Sequence, residues 1–188
     1  MTQAEDKTGD QRGRAGRSQL VVILLVAGFS MAGAYLVFFL ASSGGVWGTT
    51  NNGEFVTPAM TMEALDLRDA AGTSATADGH WWLWTVAPGG CGEQCRFAVE
   101  RLRQVHALLN KDASRVRRAL VTSTPGLEPP PGLDVSDLER LVGPADGLAS
   151  GIYIVDPIGN LVLRYPLSDA GEAVLEDLKR LLKVSQIG

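Results

Sequence analysis

Apolar and polar positions recur with different periods along this chain, and each period predicts an element. Leu20 to Leu40 carries no charged residue. About 20 apolar residues in a helix cross a bilayer core, so 20–40 reads as a transmembrane helix and 1–19 as a tail before it. Residues 41–60 read as a flexible linker, because Ala41 to Asn52 is dominated by Gly, Ser, Thr and Asn; Trp47 within it suits a membrane interface. Residues 61–188 then read as one folded domain. Leu65-Asp66-Leu67-Arg68-Asp69-Ala70-Ala71-Gly72 alternates as a strand does and ends in a turn.

Trp81 to Ala87 is short and almost wholly apolar, as a strand buried on both faces is. From about Glu93 to Asn110, Ala98, Leu102, Val105 and Leu109 recur at helical spacing, which predicts a helix with one buried stripe. Arg118–Thr122 predicts the next strand. A proline-marked loop (Pro125, Pro129, Pro130, Pro131) follows. Asp134 suits an N-cap for a short helix whose apolar side is Val135, Leu138 and Val142. Gly151–Val155 and Leu161–Tyr165 predict a hairpin around Asp156-Pro157-Ile158-Gly159-Asn160, where Asp156 serves the turn. A last helix runs from about Asp169 to Val184, with Leu175, Leu178 and Leu182 as its stripe and acids before bases along it. The order is β-α-β-α-β-β-α. A right-handed crossover makes the first two strands parallel, so the expected fold class is α/β, thioredoxin-like, behind one transmembrane helix.

Charge orients this arrangement. Lys7, Arg12, Arg14 and Arg17 precede the apolar run, and no charge follows it until Glu54. Basic flanks stay on the cytoplasmic side, so the expected placement is a single-pass inner (plasma) membrane protein with a cytoplasmic N-terminus. In a bacterial cell its domain lies in the periplasm, where disulfides persist. A cleaved signal peptide is the alternative. The run exceeds the roughly 7–15 residues of such segments, and the small-residue signal after it is poor. The formal net charge of −4 and the lack of a basic stripe argue against nucleic acid as a partner.

The candidate chemistry is Cys91-Gly92-Glu93-Gln94-Cys95, which holds the only two cysteines. It falls where the first loop becomes the first helix. Thiolates are soft ligands that select Cu(I), a helix start favours the thiolate, and residues i and i+4 share a helix face close enough for a disulfide. The pair therefore suits three uses: holding copper, cycling between dithiol and disulfide, or staying oxidised as a staple. A bridge across so short a loop gains little unfolded-state entropy, which favours a working pair. His80 precedes the strand at its far end, and His106 follows Cys95 by 11 residues, about 16 Å along a helix, so neither joins the pair. Trp81, Trp82 and Trp84 read as core packing, and Arg115, Arg117 and Arg118 as a solvated approach to a strand. There is no Ser/His/Asp set, phosphate loop or zinc spacing.

On these residues the chain resembles the membrane-anchored Sco family of copper-handling proteins that assist cytochrome c oxidase assembly. The resemblance rests on Leu65-x-Leu67-x-Asp69-x-x-Gly72, Gly79-His80-Trp81, Cys91-x-x-x-Cys95 and Ile152-Tyr153-Ile154-Val155-Asp156-Pro157-x-Gly159. It implies Cys91 and Cys95 as redox-active residues and Cu(I) ligands, copper as cofactor, and an oxidase subunit or its assembly factors as partner. The chain departs from the family in two places. Gly143 to Gly151 holds no His where the family has its third copper ligand, and Arg96 stands where the family has Pro. The resemblance is therefore to a divergent branch. A thiol-disulfide reductase and a non-catalytic scaffold with a structural disulfide remain the alternatives; the first lacks a Pro directly before Ile152.

Overall fold

The computed structural model describes residues 7–42, 50–126, 132–145 and 147–185. The chain forms two units, residues 1–50 and 51–188. The first is a helix, α1 (Lys7–Ser42). Within it Gln19–Leu40 is long and apolar enough to cross a membrane, and its described side chains are exposed. Trp47 lies outside the described residues.

The second unit is a six-stranded mixed sheet in the order β1-β6-β5-β2-β3-β4. The strands are β1 (Glu54–Phe55), β2 (Trp81–Val86), β3 (Val116–Thr122), β4 (Leu138–Val142), β5 (Gly151–Val155) and β6 (Leu161–Tyr165); the helices are α2 (Glu93–Ala107) and α3 (Glu172–Val184). β2, β3 and β4 are parallel, and β5, β6 and β1 continue the sheet antiparallel from β2. Every residue of β2 is buried. Trp81 and Leu83 pack with α2 and α3, while Trp82, Trp84 and Val86 meet Met62, Leu65 and Leu67 on the other face. The tryptophans are core, as their clustering predicts; Trp82 Nε1 donates to the Ala77 carbonyl.

Four expectations need correction. Asp134–Val142 is not a helix: residues from Leu138 form β4, in register with β3 from Arg118↔Leu138 to Thr122↔Val142. The apolar spacing suits a helix, but without β4 the outer edge of buried β3 would leave its main-chain groups unpaired. Asp134 caps a turn instead, accepting from the Ser136 N–H and hydroxyl. Leu65 to Gly72 is not a strand either. It begins in a short 3-10 turn (Glu63–Leu65) and touches the sheet through Arg68, bridged to Val142 and Ser74. Arg118 is not solvated: its side chain is 2% exposed and paired with Asp137. Arg117 stacks over Trp82 at 5.6 Å, and Arg115 donates to the Leu182 and Ser185 carbonyls.

The fourth correction concerns the linker. Its second half is folded: Glu54 and Phe55 pair with Arg164 and Leu163, and the Leu161 N–H donates to the Met60 carbonyl. The fastening is Asp177 on α3, which is buried. Its Oδ2 accepts from the Asn52 N–H at 2.6 Å, the Gly53 N–H at 3.0 Å and the Tyr165 hydroxyl at 2.7 Å. Gly53 is needed by closeness, since a Cβ there would lie 2.5 Å from the Tyr165 ring. No spacing rule links Asn52 to a carboxylate so far along the chain, so composition alone read this stretch as spacer.

Removing that carboxylate strands two main-chain donors and a phenol. Asp177→Ala is expected to cost about 3 kcal/mol, and Gly53→Ala about 1–3 kcal/mol by overlap with Tyr165; unchanged urea midpoints for the full-length protein in detergent would refute both. Burial, and then Asp177, push the Tyr165 phenol above its usual value of 10.0. The folded protein thus holds this proton more tightly than the unfolded chain. Its contribution is complete below pH 10 and is lost as pH rises beyond it. Tyr165→Phe should flatten the fall in stability above pH 10.

Candidate functional site

β2 ends at Val86, and the chain turns through Ala87–Gly92 before α2. The Gly90 N–H donates to the Ala87 carbonyl and the Gly92 N–H to the Gly90 carbonyl. Gly90 has φ 110°, a conformation that side chains with a Cβ resist. Gly92 is the N-cap of α2 and supplies no side-chain cap. The first N–H groups of α2 therefore keep their partial positive charge at the site.

Cys91 and Cys95 are joined as a disulfide with their Cα atoms 5.0 Å apart. They do not share a helix face as the i, i+4 spacing suggests, because Cys91 lies before the N-cap and only Cys95 is helical. The two sulfurs have different surroundings. Cys95 is 3% exposed and packs with Ala87, Val99, Leu120, Leu133 and Leu138, whereas Cys91 is only half-buried against that cluster. Glu93 and Arg96 in the first turn of α2 are both exposed.

The loop before β5 reaches the same end of the sheet, since Gly151 pairs with Val86. Two side chains hold it. The Tyr153 hydroxyl donates to the Ala149 carbonyl at 3.0 Å, and Arg164 Nη2 to the Ser150 carbonyl at 3.4 Å. Burial raises the Tyr153 pKa, with Arg164 opposing it. These supports were hidden in the sequence because Tyr153 reads as one more apolar strand residue. Asp146 lies outside the described residues. A groove of about 730 Å³, lined in part by Thr122, Ser123, Arg140 and Val142, opens at the ends of β3 and β4; neither cysteine lines it.

The histidines stand apart, as expected. His80 precedes β2, with Nδ1 2.9 Å from the Asp78 carbonyl. His106 Nε2 lies 3.0 and 2.8 Å from the Ala113 and Val116 carbonyls. Among the described residues, no three His, Cys, Asp or Glu side chains converge as metal ligands. What the site offers is two sulfurs at an uncapped helix start, one reachable and one covered.

Comparison with known proteins agrees with this fold. Yeast Sco1 with copper bound is 16% identical, with a TM-score of 0.51 over 73% of this chain and 96% of that one. Bradyrhizobium japonicum ScoI with copper bound is 22% identical, with a TM-score of 0.44 over 62% and 94%. The thioredoxin domain of a Bacteroides vulgatus thiol-disulfide oxidoreductase is 16% identical, with a TM-score of 0.47 over 71% and 99%. No curated protein matches the sequence. At 16% identity the likeness to yeast Sco1 shows a shared fold. A family model described as transmembrane-like, thioredoxin-like, C-terminal domain matches residues 81–185. Since that match covers more than half of the chain, the protein belongs to this thioredoxin-like family.

Proposed function

We propose that this is a membrane-anchored thiol protein with a cytoplasmic N-terminus and an extracytoplasmic domain. Its Cys91–Cys95 pair keeps client cysteines reduced during cytochrome c oxidase assembly. The observation that carries the reading is the asymmetric disulfide at the uncapped start of α2: Cys91 partly buried, Cys95 fully buried. The Sco-like sequence frame supports the choice of client, a copper-binding subunit whose thiols must be free before metal enters.

The step balances as thiol–disulfide exchange. Reduced Cys91, as thiolate favoured by the uncapped N–H groups, attacks a client disulfide and releases one client thiolate. Cys95 then gives up its proton and attacks Cys91 of the mixed disulfide, which frees the second client thiolate. The client gains two electrons and the pair becomes the disulfide seen here. A dithiol carrier must reduce it again.

A second reading follows from the softness of the same two atoms. Reduced, they suit two-coordinate Cu(I) as cargo, and yeast Sco1, in the same fold, has been solved with copper bound. With no His in Gly143–Gly151, Cys91 and Cys95 would hold the ion alone.

A working pair is expected to have a reduction potential above about −300 mV, whereas a staple lies lower; redox titration of the full-length protein separates them. Cys91→Ser should lower oxidase copper content in cells, and normal copper together with a potential below −300 mV would sink the proposal. Anaerobic Cu(I) titration of the reduced protein tests the second reading, which predicts binding lost in Cys91→Ser. Reduction itself should leave the domain folded and cost about 2 kcal/mol in urea unfolding, the value of so short a bridge.

A further inference from the structure

The loop Gly132–Asp137 packs with two buried groups at once. One is Cys95, in one apolar cluster with Leu133 of this loop, Leu138, Leu120 and Val99. The other is Arg118 on β3, whose side chain is 2% exposed. Arg118 Nη2 donates to Asp137, a residue whose own side chain is 52% exposed. Arg118 Nε and Nη1 are buried with no hydrogen-bond partner among the described residues. One more pin holds the loop, an ion pair of 3.1 Å between Asp134 and Arg103. Both of its side chains are about half exposed, where such pairs contribute little.

The covered state is therefore opposed from within. Burying Leu133 favours closure. Two buried guanidinium nitrogens with no acceptor among the described residues disfavour it. Opening would hydrate those donors, leave Asp137 in the solvent it already meets, and uncover the sulfur of Cys95. We propose that Gly132–Asp137 is a hinged cover over Cys95, and that the unmet donors of Arg118 keep it poised to open. It rests on the thiol reading above and deepens it. Cys95 reaches Cys91 within the closed site, so the cover leaves the internal exchange step untouched and sets only when the second sulfur can meet an external partner.

The test measures how fast iodoacetamide alkylates Cys95 in full-length Cys91→Ser protein in detergent, with the Cys95→Ser protein reporting Cys91. Cys95 should react slowly but measurably. Arg118→Leu removes the unmet donors and should slow Cys95 by at least about tenfold; Asp137→Asn weakens the closed pairing and should speed it by a similar factor. The Cys91 rate should stay within about twofold in both variants, as only the opening equilibrium of the cover changes. No reaction at Cys95 in the parent, Cys95 rates unmoved by both substitutions, or equal acceleration of the two cysteines would each overturn the proposal. Asp137 is at the surface, so Asp137→Asn decides the matter if Arg118→Leu fails to fold. These rates are read on thiols alone. They hold or fail independently of the redox potential and oxidase copper on which the proposed function stands.

Discussion

The constraint on which this domain depends is the complete burial of β2. Every residue from Trp81 to Val86 is buried, between the parallel neighbour β3 and the antiparallel neighbour β5. A strand enclosed on both faces and both edges has one way out, along its own axis. The chain must leave at Ala87, turn within a few residues through Gly90, and lie back across the sheet as α2, because a right-handed crossover is needed before β3 can pair in parallel. Cys91 and Cys95 occupy that turn and the first helical turn after it. The position of the sulfurs is thus a consequence of the sheet, and their unlike exposure follows from one standing in the loop and the other facing the core.

The same sheet explains the buried charges. Asp177 is tolerated because it accepts from two main-chain N–H groups and a phenol, which is how a carboxylate survives away from water. It fastens Asn52 and Gly53, at the start of the domain, to the last helix. Arg118 is less well provided for. Its carboxylate partner comes from a surface loop, and two of its nitrogens have no partner among the described residues. One buried ion is satisfied and stabilises; the other is half-satisfied and opposes the loop that covers it.

Much of the architecture was legible in the order of residues. The uncharged run of Leu20 to Leu40, the apolar strand from Trp81, the helical stripe of Ala98, Leu102 and Val105, and the hairpin around Asp156 each carry a local signal, and each is present in the structure. The cysteines at the junction of loop and helix were legible for the same reason. The misreadings share a cause. Leu138 to Val142 has helical spacing, yet becomes a strand because β3 needs a partner. Asn52 and Gly53 have spacer composition, yet are ordered because Asp177 reaches them from α3. Arg118 has a surface residue's chemistry, yet is buried on β3 because Asp137, nineteen residues along, pairs with it.

Sequence alone determined which segments are apolar enough to be buried or to cross a membrane, and placed two thiols four residues apart at a helix start; periodicity and composition are local properties that the chain carries before it folds. Tertiary structure decided which sulfur is covered, which charges are buried, and which short segment pairs at the sheet edge. Those outcomes depend on contacts between residues far apart in the chain, where burial and the pairing of main-chain groups outweigh any local preference.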